Sequence, residues 1–214
     1  MYRNSMKKWR YPLSLLVIYA VIWIALAIDP VYRHDWMLEN ALVALSLPLL
    51  ILTAKQLRFT DFTYTCFFIF FVLHAIGAHY TYALVPYDDW FRSLTGTSLN
   101  ELLGFERNHF DRLAHFLYGL LITPAAVEIF AHYGRYSASW AALFPALFVS
   151  SHAGIYEIVE WFAALLFGGD LGMAYLGTQG DVWDGQKDMA FAFAGTAITI
   201  TAFAFAGRLP IRRG

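Results

Sequence analysis

Six long apolar segments most strongly constrain what this chain of 214 residues can fold into. A helix needs about 20 mostly apolar residues to cross a bilayer, and its backbone groups must be hydrogen-bonded within the segment. Apolar residues make up 59% of the chain and charged residues 14%, against about 45–50% and about 25% in soluble domains. The sequence therefore predicts an all-α fold, in which residues 1–214 form a single integral membrane domain built as a polytopic helix bundle. The predicted transmembrane spans are 12–28, 37–53, 62–85, 111–131, 139–167 and 187–206.

Three of these segments carry features that a uniform span lacks. Pro48 lies inside 37–53 and predicts a kink, because proline removes a helical hydrogen bond. Segment 139–167 is longer than a perpendicular crossing requires, so it must tilt or project beyond the bilayer. The first segment follows a basic start and contains Ala25-Leu26-Ala27, a pattern typical of signal cleavage. We expect residues 1–27 to be retained as a span, and cleavage would leave five spans.

The distribution of basic residues predicts the orientation of the bundle. Cytoplasmic segments of membrane proteins carry an excess of Lys and Arg. With the N-terminus inside, ten of the fifteen basic residues fall in inner segments. Both termini are therefore expected in the cytoplasm, and the long loops 86–110 and 168–186 on the outer side.

Charge balance and cysteine content narrow the classes of partner. The net charge is −1, so no basic excess indicates a nucleic-acid partner. The single Cys66 excludes an internal disulfide and a cysteine-based zinc motif. A membrane lipid is the expected partner, and the sequence names no protein partner.

Acidic residues concentrate on the predicted outer side. Twelve of the sixteen lie in outer loops or at outer helix ends, and Glu157 and Glu160 lie in the outer part of the fifth span. The positive-inside rule does not require this, because acidic residues contribute little to it. Loop polarity explains acids such as Asp88 and Asp170. It does not explain acids that share helix faces with histidines.

One such face lies at the start of the fourth span. Arg107, Asp111 and His115 follow i, i+4 and i+8 spacing, which places them on one side of a helix. Asp184 and Asp188 would share a face at the start of the sixth span if that stretch is helical, although a glycine between them weakens this assumption.

Helix direction brings these groups to a common depth. His79 lies near the outer end of the third span, and Glu157 lies about 25 Å along the fifth span from its start. Charged groups within spans are costly and usually functional, and carboxylates with imidazoles suit a hard or borderline divalent ion. The sequence predicts a divalent metal site with His79, Asp111, His115, Asp184 and Asp188 as metal ligands, Glu157 as a ligand or catalytic general base, and Arg107 as an anion clamp for the reaction.

The same residues also have structural interpretations. Asp111 could form an ion pair with Arg107 or Arg112, and Asp184 or Asp188 could form one with Lys187. The histidine of the fourth span could be a hydrogen-bonded interior residue. The spacing alone leaves the metal and the ion-pair interpretations open, because the candidate ligands reproduce neither the E-x-x-H signature of di-iron proteins nor an H-E-x-x-H motif.

Other polar residues are expected to have separate roles. His74, in the middle of the third span, is interpreted as a packing or hydrogen-bonding residue. Glu128, about 25 Å along the helix from Asp111, is expected to be separate from the metal site and to pair with Arg135 or reach water. Gly177 and Gly180 could let backbone amides approach an anion.

Four segments carry a resemblance to a known family. They read HYTYALVPYDDW, ERNHFDRLAHFLYG, IYEIVEW and LGTQGDVWDGQKDM, and the last is the most specific. From about residue 40 to 206 the chain resembles the bacterial YjdF-like family of multi-pass inner-membrane proteins. The resemblance implies a multi-pass protein of the bacterial cytoplasmic (inner) membrane. It implies no reaction and supplies no catalytic residues.

Three classes of function fit these observations. The first is a metal-dependent hydrolase or transferase that acts on a lipid or lipid-linked substrate from the outer face. The second is an ion- or proton-coupled transporter, in which intramembrane acids and histidines relay ions. The third is a non-catalytic assembly or interaction protein that docks through loop 86–110. The sequence specifies neither the substrate nor the metal.

Overall fold

The computed structural model describes residues 2–169, 172 and 176–212, with side chains from residue 9 onward. Asp170, one of the predicted outer acids, lies outside the described residues. In the described part the regular elements are helices, and Tyr136 and Ile211 form an isolated bridge. The helices are α1 (Tyr2–Leu26), α2 (Arg33–Thr53), α3 (Asp61–Tyr80), α4 (Tyr87–Thr95), α5 (Leu99–Leu103), α6 (Phe110–Tyr133), α7 (Ala138–Phe167) and α8 (Asp184–Phe205).

Six of these helices, α1, α2, α3, α6, α7 and α8, are long and apolar enough to cross a membrane. The all-α fold and the number of spans are therefore confirmed, although several helix ends differ from prediction, and two of these differences bear on the site. The third helix ends at Tyr80 rather than five residues later, because Thr81 and Tyr82 adopt left-handed conformations with φ of 54° and 43°. The last helix begins at Asp184, which places it one turn from Asp188 on the same helix.

The helix α6 lies at the centre of the bundle, where it contacts α3, α7 and, most extensively, α8. The contact with α8 depends on two glycines. A Cβ atom at Gly119 would lie 1.9 Å from the carbonyl oxygen of Ala192, and one at Gly195 would lie 2.1 Å from that of Phe116. The two backbones therefore touch, which is how small residues promote helix packing in membranes. This contact fixes the separation of the two helices that carry most of the candidate site.

The bundle exposes large apolar side chains and buries polar ones. Val17, Ile155 and Leu165 are each more than half exposed. In a bilayer such side chains face lipid tails that are as apolar as they are. Acids and histidines are concentrated instead in the interior, near the first residues of α6 and α8. We call this the cluster end of the bundle, and the opposite end, where Glu128 lies, the Glu128 end.

The connection between α3 and α6 is held together by its own hydrogen bonds. The carboxylate of Asp88 accepts hydrogen bonds from the backbone N–H of Asn100 and the hydroxyl of Ser98, both at 2.9 Å. The N–H of Asn100 holds the pKa of Asp88 below its usual value. Asp88 therefore links α4 to the start of α5, which is a structural role beyond loop polarity.

Candidate metal centre

Three helices bring together, at the cluster end, five side chains of the types that can bind a metal ion. Ligand atoms of Asp111, His115 and Asp188 all lie within 4.8 Å of one another, and ligand atoms of His115, Glu157 and Glu160 do the same. Spacings of i, i+4 in α6 and i, i+3 in α7 place each pair on one helix face. We call these five residues the carboxylate–histidine cluster.

His115 is the residue that joins the two halves of this cluster. Its Nε2 atom lies 3.3 Å from Oε1 of Glu157 and 3.7 Å from Oδ1 of Asp111. Donors around a divalent ion such as zinc lie about 2.0–2.2 Å from the metal, so neighbouring donors are about 3–3.5 Å apart. The spacing around His115 is therefore close to that of a coordination shell.

Burial leaves parts of the cluster without hydrogen-bonding partners. His115 is 8%, Glu160 6% and Asp188 2% exposed. Oδ1 of Asp188 and Oε1 of Glu157 are buried and accept no hydrogen bond from any described residue. An ionised carboxylate removed from water is costly unless it is paired or coordinates a metal. Each of the two donor groups thus contains a carboxylate oxygen that accepts no hydrogen bond.

Two glycines of the segment LGTQGDVWDGQKDM allow its backbone to approach the cluster. A Cβ atom at Gly185 would lie 2.7 Å from Oε2 of Glu157. Gly177 has a φ of +62°, and its Cβ atom would lie 3.4 Å from Oδ2 of Asp111. Gly177, which the sequence offered for an anion site, therefore lies against a carboxylate. The part of this segment that precedes α8, residues 176–183, covers the cluster, and we call it the covering segment.

An ion-pair network holds this covering segment in place. We use that name for Arg107, Arg112, Asp181, Asp184 and Lys187. Arg107 pairs with Asp184 and donates a hydrogen bond to the carbonyl of Thr178, and Arg112 pairs with Asp181. The Nζ atom of Lys187 lies 2.6 Å from Asp181, and the hydrogen bond it donates is the main reason that the pKa of Asp181 is held well below its usual range.

The network changes the interpretation of two predicted site residues. Asp184 belongs to neither donor group of the cluster, because its carboxylate faces Arg107 and lies 3.3 Å from Arg112. The interpretation that Lys187 pairs with Asp184 or Asp188 is wrong, since Lys187 pairs with Asp181 and both of those acids lie against arginines. Arg107, predicted as an anion clamp, is occupied by Asp184 and by a backbone carbonyl. Both residues are positioned to hold the segment over the cluster.

His79 also lies apart from the donor groups. Its Nδ1 atom lies 2.8 Å from the carbonyl oxygen of Leu26, and its own carbonyl accepts a hydrogen bond from Val31 N–H at 2.9 Å. These bonds connect the end of α3 to the turn between α1 and α2. The common depth predicted for His79 did not determine which way its ring points.

Sequence reasoning left out several acids that the fold brings to the same region. Glu160 was recognised as a neighbour of Glu157 in the fifth span but was not assigned to the site. Glu39 is 3% exposed and accepts a hydrogen bond from the hydroxyl of Tyr156, which neighbours Glu157 in α7, at 3.4 Å. The i, i+3 spacing of Glu157 and Glu160 was the available signal. No local signal linked Glu39 in α2 to α6.

Two other polar residues form hydrogen bonds apart from the cluster. Glu128 accepts hydrogen bonds from the N–H and hydroxyl of Thr60 at 2.8 and 2.6 Å, and from the hydroxyl of Thr63 at 2.6 Å. The expected pairing with Arg135 is wrong, because Arg135 donates to the backbone carbonyls of Ala131, in the last turn of α6, and Gly134. His74 contacts the Tyr82 hydroxyl and a backbone carbonyl, which confirms a hydrogen-bonding role.

A cleft of about 800 Å³ lies between α7, α8 and the covering segment. Its polar wall contains Glu157, Asp184 and Gln186, and its apolar wall contains Ile158 and Trp161. Both of these apolar residues are more than half exposed on the outside of the bundle. The cleft therefore connects the edge of the cluster with the surface that faces lipid.

Comparison with known proteins gives a family without a described reaction. The family described as "Predicted membrane protein (DUF2238)" matches residues 11–208. The chain is 34% identical over 196 residues to "Inner membrane protein YjdF" of Escherichia coli (strain K12), covering 88% of each chain. No solved structure matches. The chain therefore belongs to this YjdF/DUF2238 family and is a multi-pass protein of the inner membrane.

Proposed function

We propose that this member of the YjdF/DUF2238 family is a divalent-cation-dependent membrane hydrolase or transferase acting on the head group of a lipid or lipid-linked substrate. One observation carries the proposal. Buried carboxylate oxygens of Asp188 and Glu157, with no hydrogen-bonding partner among the described residues, converge on His115 at the edge of a cleft that opens toward lipid.

The donor set fits a hard or borderline cation. Carboxylate oxygens favour magnesium and manganese, and imidazole nitrogen also suits zinc and iron. Asp111, His115 and Asp188 would hold the cation, because their ligand atoms lie within 4.8 Å of one another. When bound, the cation would polarise a phosphoryl or acyl oxygen or lower the pKa of a bound water.

Glu157 is suited to act as the general base. It lines the cleft, and its Oε1 atom lies 3.3 Å from His115 Nε2. In the hydrolytic case, Glu157 takes the proton of a water whose oxygen forms the new bond to phosphorus or acyl carbon. The bond to the leaving alcohol oxygen breaks, and that oxygen takes a proton back. In the transferase case, an acceptor hydroxyl replaces the water.

The walls of the cleft support a lipid as the substrate. A substrate with a polar head and an apolar tail could place its head near Glu157 and Gln186 while its tail lies along Ile158 and Trp161. Sites for small molecules commonly combine apolar walls with a few convergent polar groups. A fully water-soluble substrate would leave the exposed apolar wall unused.

The packing of α6 on α8 weighs against transport as the alternative. A relay requires polar groups that continue from the cluster toward the Glu128 end. Within two turns of the cluster, Gly119 and Gly195 bring the backbones of α6 and α8 into direct contact. This contact leaves no passage between the two helices. The enzyme proposal requires only access from the side, which the cleft provides.

Metal content and lipid turnover of the purified protein test the proposal together. We expect the wild type to retain a divalent cation after dialysis and to release a water-soluble head group from bacterial lipid in nanodiscs. Asp111→Asn and Asp188→Asn should each weaken cation affinity at least about tenfold and abolish turnover. Glu128→Gln, the matched control on α6, should leave both unchanged.

The two readouts can fail separately. Wild-type protein without retained metal, and with turnover insensitive to a chelator, would remove the metal-dependent mechanism. Retained metal without turnover of any bacterial lipid would remove the lipid-enzyme proposal and leave an ion-binding protein.

A further inference from the structure

We propose that α4 and α5, the two short helices between α3 and α6, bind the surface of the bilayer, with one face immersed in lipid and the other in water. The partner of this connection is therefore a phospholipid leaflet and not a docking protein. The inference goes beyond the proposed function, because none of the contacts that support it involves the carboxylate–histidine cluster.

The sequence of α4 separates apolar and polar side chains onto opposite faces. At about 100° per residue, the apolar face consists of Tyr87, Trp90, Phe91 and Leu94. The opposite face carries Asp88, Asp89, Arg92 and Ser93. Helices with this separation lie in the plane of the membrane interface with the apolar face toward the acyl chains, and Trp and Tyr are enriched at that depth.

The apolar side chains of both helices are exposed in the folded chain. Trp90 is 42% and Leu94 86% exposed on α4, and Leu102 is 65% and Leu103 55% exposed on α5. Among the described helices, α4 and α5 pack mainly on each other, so the bundle does not cover these side chains. Exposed apolar patches mark surfaces that contact a membrane or another protein.

A ring contact places the apolar face of α4 at the membrane boundary. Tyr80 is the last residue of the membrane helix α3, and its ring centroid lies 5.9 Å from that of Trp90. Leu94 lies one turn after Trp90 on the same face, so this face is turned toward the end of α3. The apolar face therefore adjoins the membrane-spanning part of the bundle, where the bilayer begins.

Hydrogen bonds hold the connection at this level from the side of α6. The Tyr87 hydroxyl donates to the side chain of Asn100 at 2.7 Å and accepts from the N–H of His109, immediately before α6, at 3.0 Å. The side chain of Asn108 donates to the carbonyl of Val85 at 2.8 Å. Both ends of the connection are thus tied to the ends of membrane helices, which keeps α4 and α5 along the boundary.

The polar side of the connection carries exposed ion pairs. A guanidinium nitrogen of Arg92 lies 3.6 Å from the carboxylate of Asp88 and 3.5 Å from that of Glu101, which joins α4 to α5. The side chains of Arg92 and Glu101 are 54% and 79% exposed. Charged groups are costly in hydrocarbon, so this side faces water or lipid head groups.

The two faces together fit a lipid surface better than a protein. A bilayer surface offers an apolar and a polar layer in the order in which α4 presents its faces to α3 and to water. A docking protein would have to cover Trp90 and Leu94 from the side on which the bilayer begins. Continuity of the apolar face with the end of α3 therefore favours lipid as its partner.

Spin labels on introduced cysteines test the inference in the full chain, reconstituted in vesicles of phosphatidylethanolamine and phosphatidylglycerol. Labels at Leu94→Cys and Leu102→Cys should lie about 5–10 Å below the lipid phosphates, accessible to oxygen and shielded from a water-soluble nickel reagent. Asp89→Cys and Glu101→Cys, the matched controls on the polar side, should show the reverse. Cys66, the only natural cysteine, is buried, so the wild type should take up no label.

The accessibilities decide between lipid, water and protein as the partner. The labelled positions are exposed, so wild-type melting temperatures are expected and show that each labelled chain is folded. Access of the nickel reagent to Leu94→Cys and Leu102→Cys would overturn the inference. Labels that are immobilised and shielded from both reagents would also overturn it, because a second copy of the chain would then cover the face. Neither result bears on the proposed function, which metal content and lipid turnover test.

Discussion

Glu128 and Asp188 are acids on the two central helices, yet their surroundings are opposite. Glu128 accepts three hydrogen bonds from Thr60 and Thr63, all between 2.6 and 2.8 Å. Asp188 has a buried oxygen with no such donor among the described residues. That oxygen lies 4.0 Å from Nε of Arg112, and the side chain lies among other acids. A carboxylate satisfied by its own chain holds helices together. A carboxylate left unsatisfied beside others is available for a ligand.

The two ends should differ in which side of the membrane they face. We expect both termini and the Glu128 end to be cytoplasmic, because ten of fifteen basic residues fall in the inner segments. Periplasm-specific reporters fused after residues 58 and 214 should be silent, and one fused after residue 96 should be active. This all-or-none result would reverse if the cluster faced the cytoplasm.

Separating the two ends depends on the contact between α6 and α8. Gly195→Ala adds a Cβ atom 2.1 Å from a backbone oxygen, so it should cost about 3 kcal/mol or more of stability through overpacking. Thermal unfolding in detergent measures this. Gly154→Ala is the matched control, since its Cβ atom would meet only Met189 Sδ at 3.5 Å. Equal effects of the two substitutions would refute the close contact.

Removing the acid at the Glu128 end should destabilise the bundle. Glu128→Ala removes the acceptor of the hydrogen bonds donated by Thr60 and Thr63 at the start of α3, and Thr63 is fully buried. The expected loss is about 1–3 kcal/mol, measured as a lower melting temperature. Glu128→Gln retains an acceptor oxygen and should lose less. A neutral effect of Glu128→Ala would end the contrast between the two ends.

Removing an acid at the cluster end should have the opposite sign in metal-free protein. Asp188→Asn relieves repulsion among buried carboxylates, so chelator-treated protein should gain about 1 kcal/mol of stability. Added Mn²⁺ should stabilise the wild type by mass action and the variant much less. Melting temperatures with and without Mn²⁺ test this. Destabilisation of the chelated protein by Asp188→Asn would indicate a structural role like that of Glu128.

The covering segment at the cluster end should loosen in acid, with the smallest effect of the five. The pKa of Asp181 is lowered by hydrogen bonds from Lys187 and the Trp183 N–H. Its contribution is therefore complete above the usual aspartate pKa of about 3.9 and is lost as pH falls through the lower folded value. Hydrogen exchange of residues 176–183 should increase in that range. Asp181→Asn should remove the pH dependence.

Several features followed from the sequence because they depend on local pattern. Six apolar segments predicted six membrane helices, since length and hydropathy suffice for that assignment. Asp111 and His115 were placed on one face because helix periodicity fixes an i, i+4 pair. The separation of Glu128 from the site followed from helix rise alone.

Other features depended on how the helices rotate and pack. Hydropathy gives the depth of a residue and not its direction, so it could not separate His79, which bonds to Leu26, from His115, which faces Glu157. Asp184 was selected as a ligand because it shares a face with Asp188. Arg107 and Arg112 lie 77 and 72 positions before Asp184 in the chain. Only the fold brings them against the Asp184 carboxylate.

The sequence by itself determined the class of the fold, the number of spans and the acids available near one end of the bundle. The tertiary structure decided which acids are compensated within the chain and which are not. The physical reason is the range of the interactions. Helix formation and membrane insertion depend on neighbours within a few turns. The pairing of Asp184 with Arg107 and the hydrogen bond from Tyr156 to Glu39 depend on contacts between distant parts of the chain.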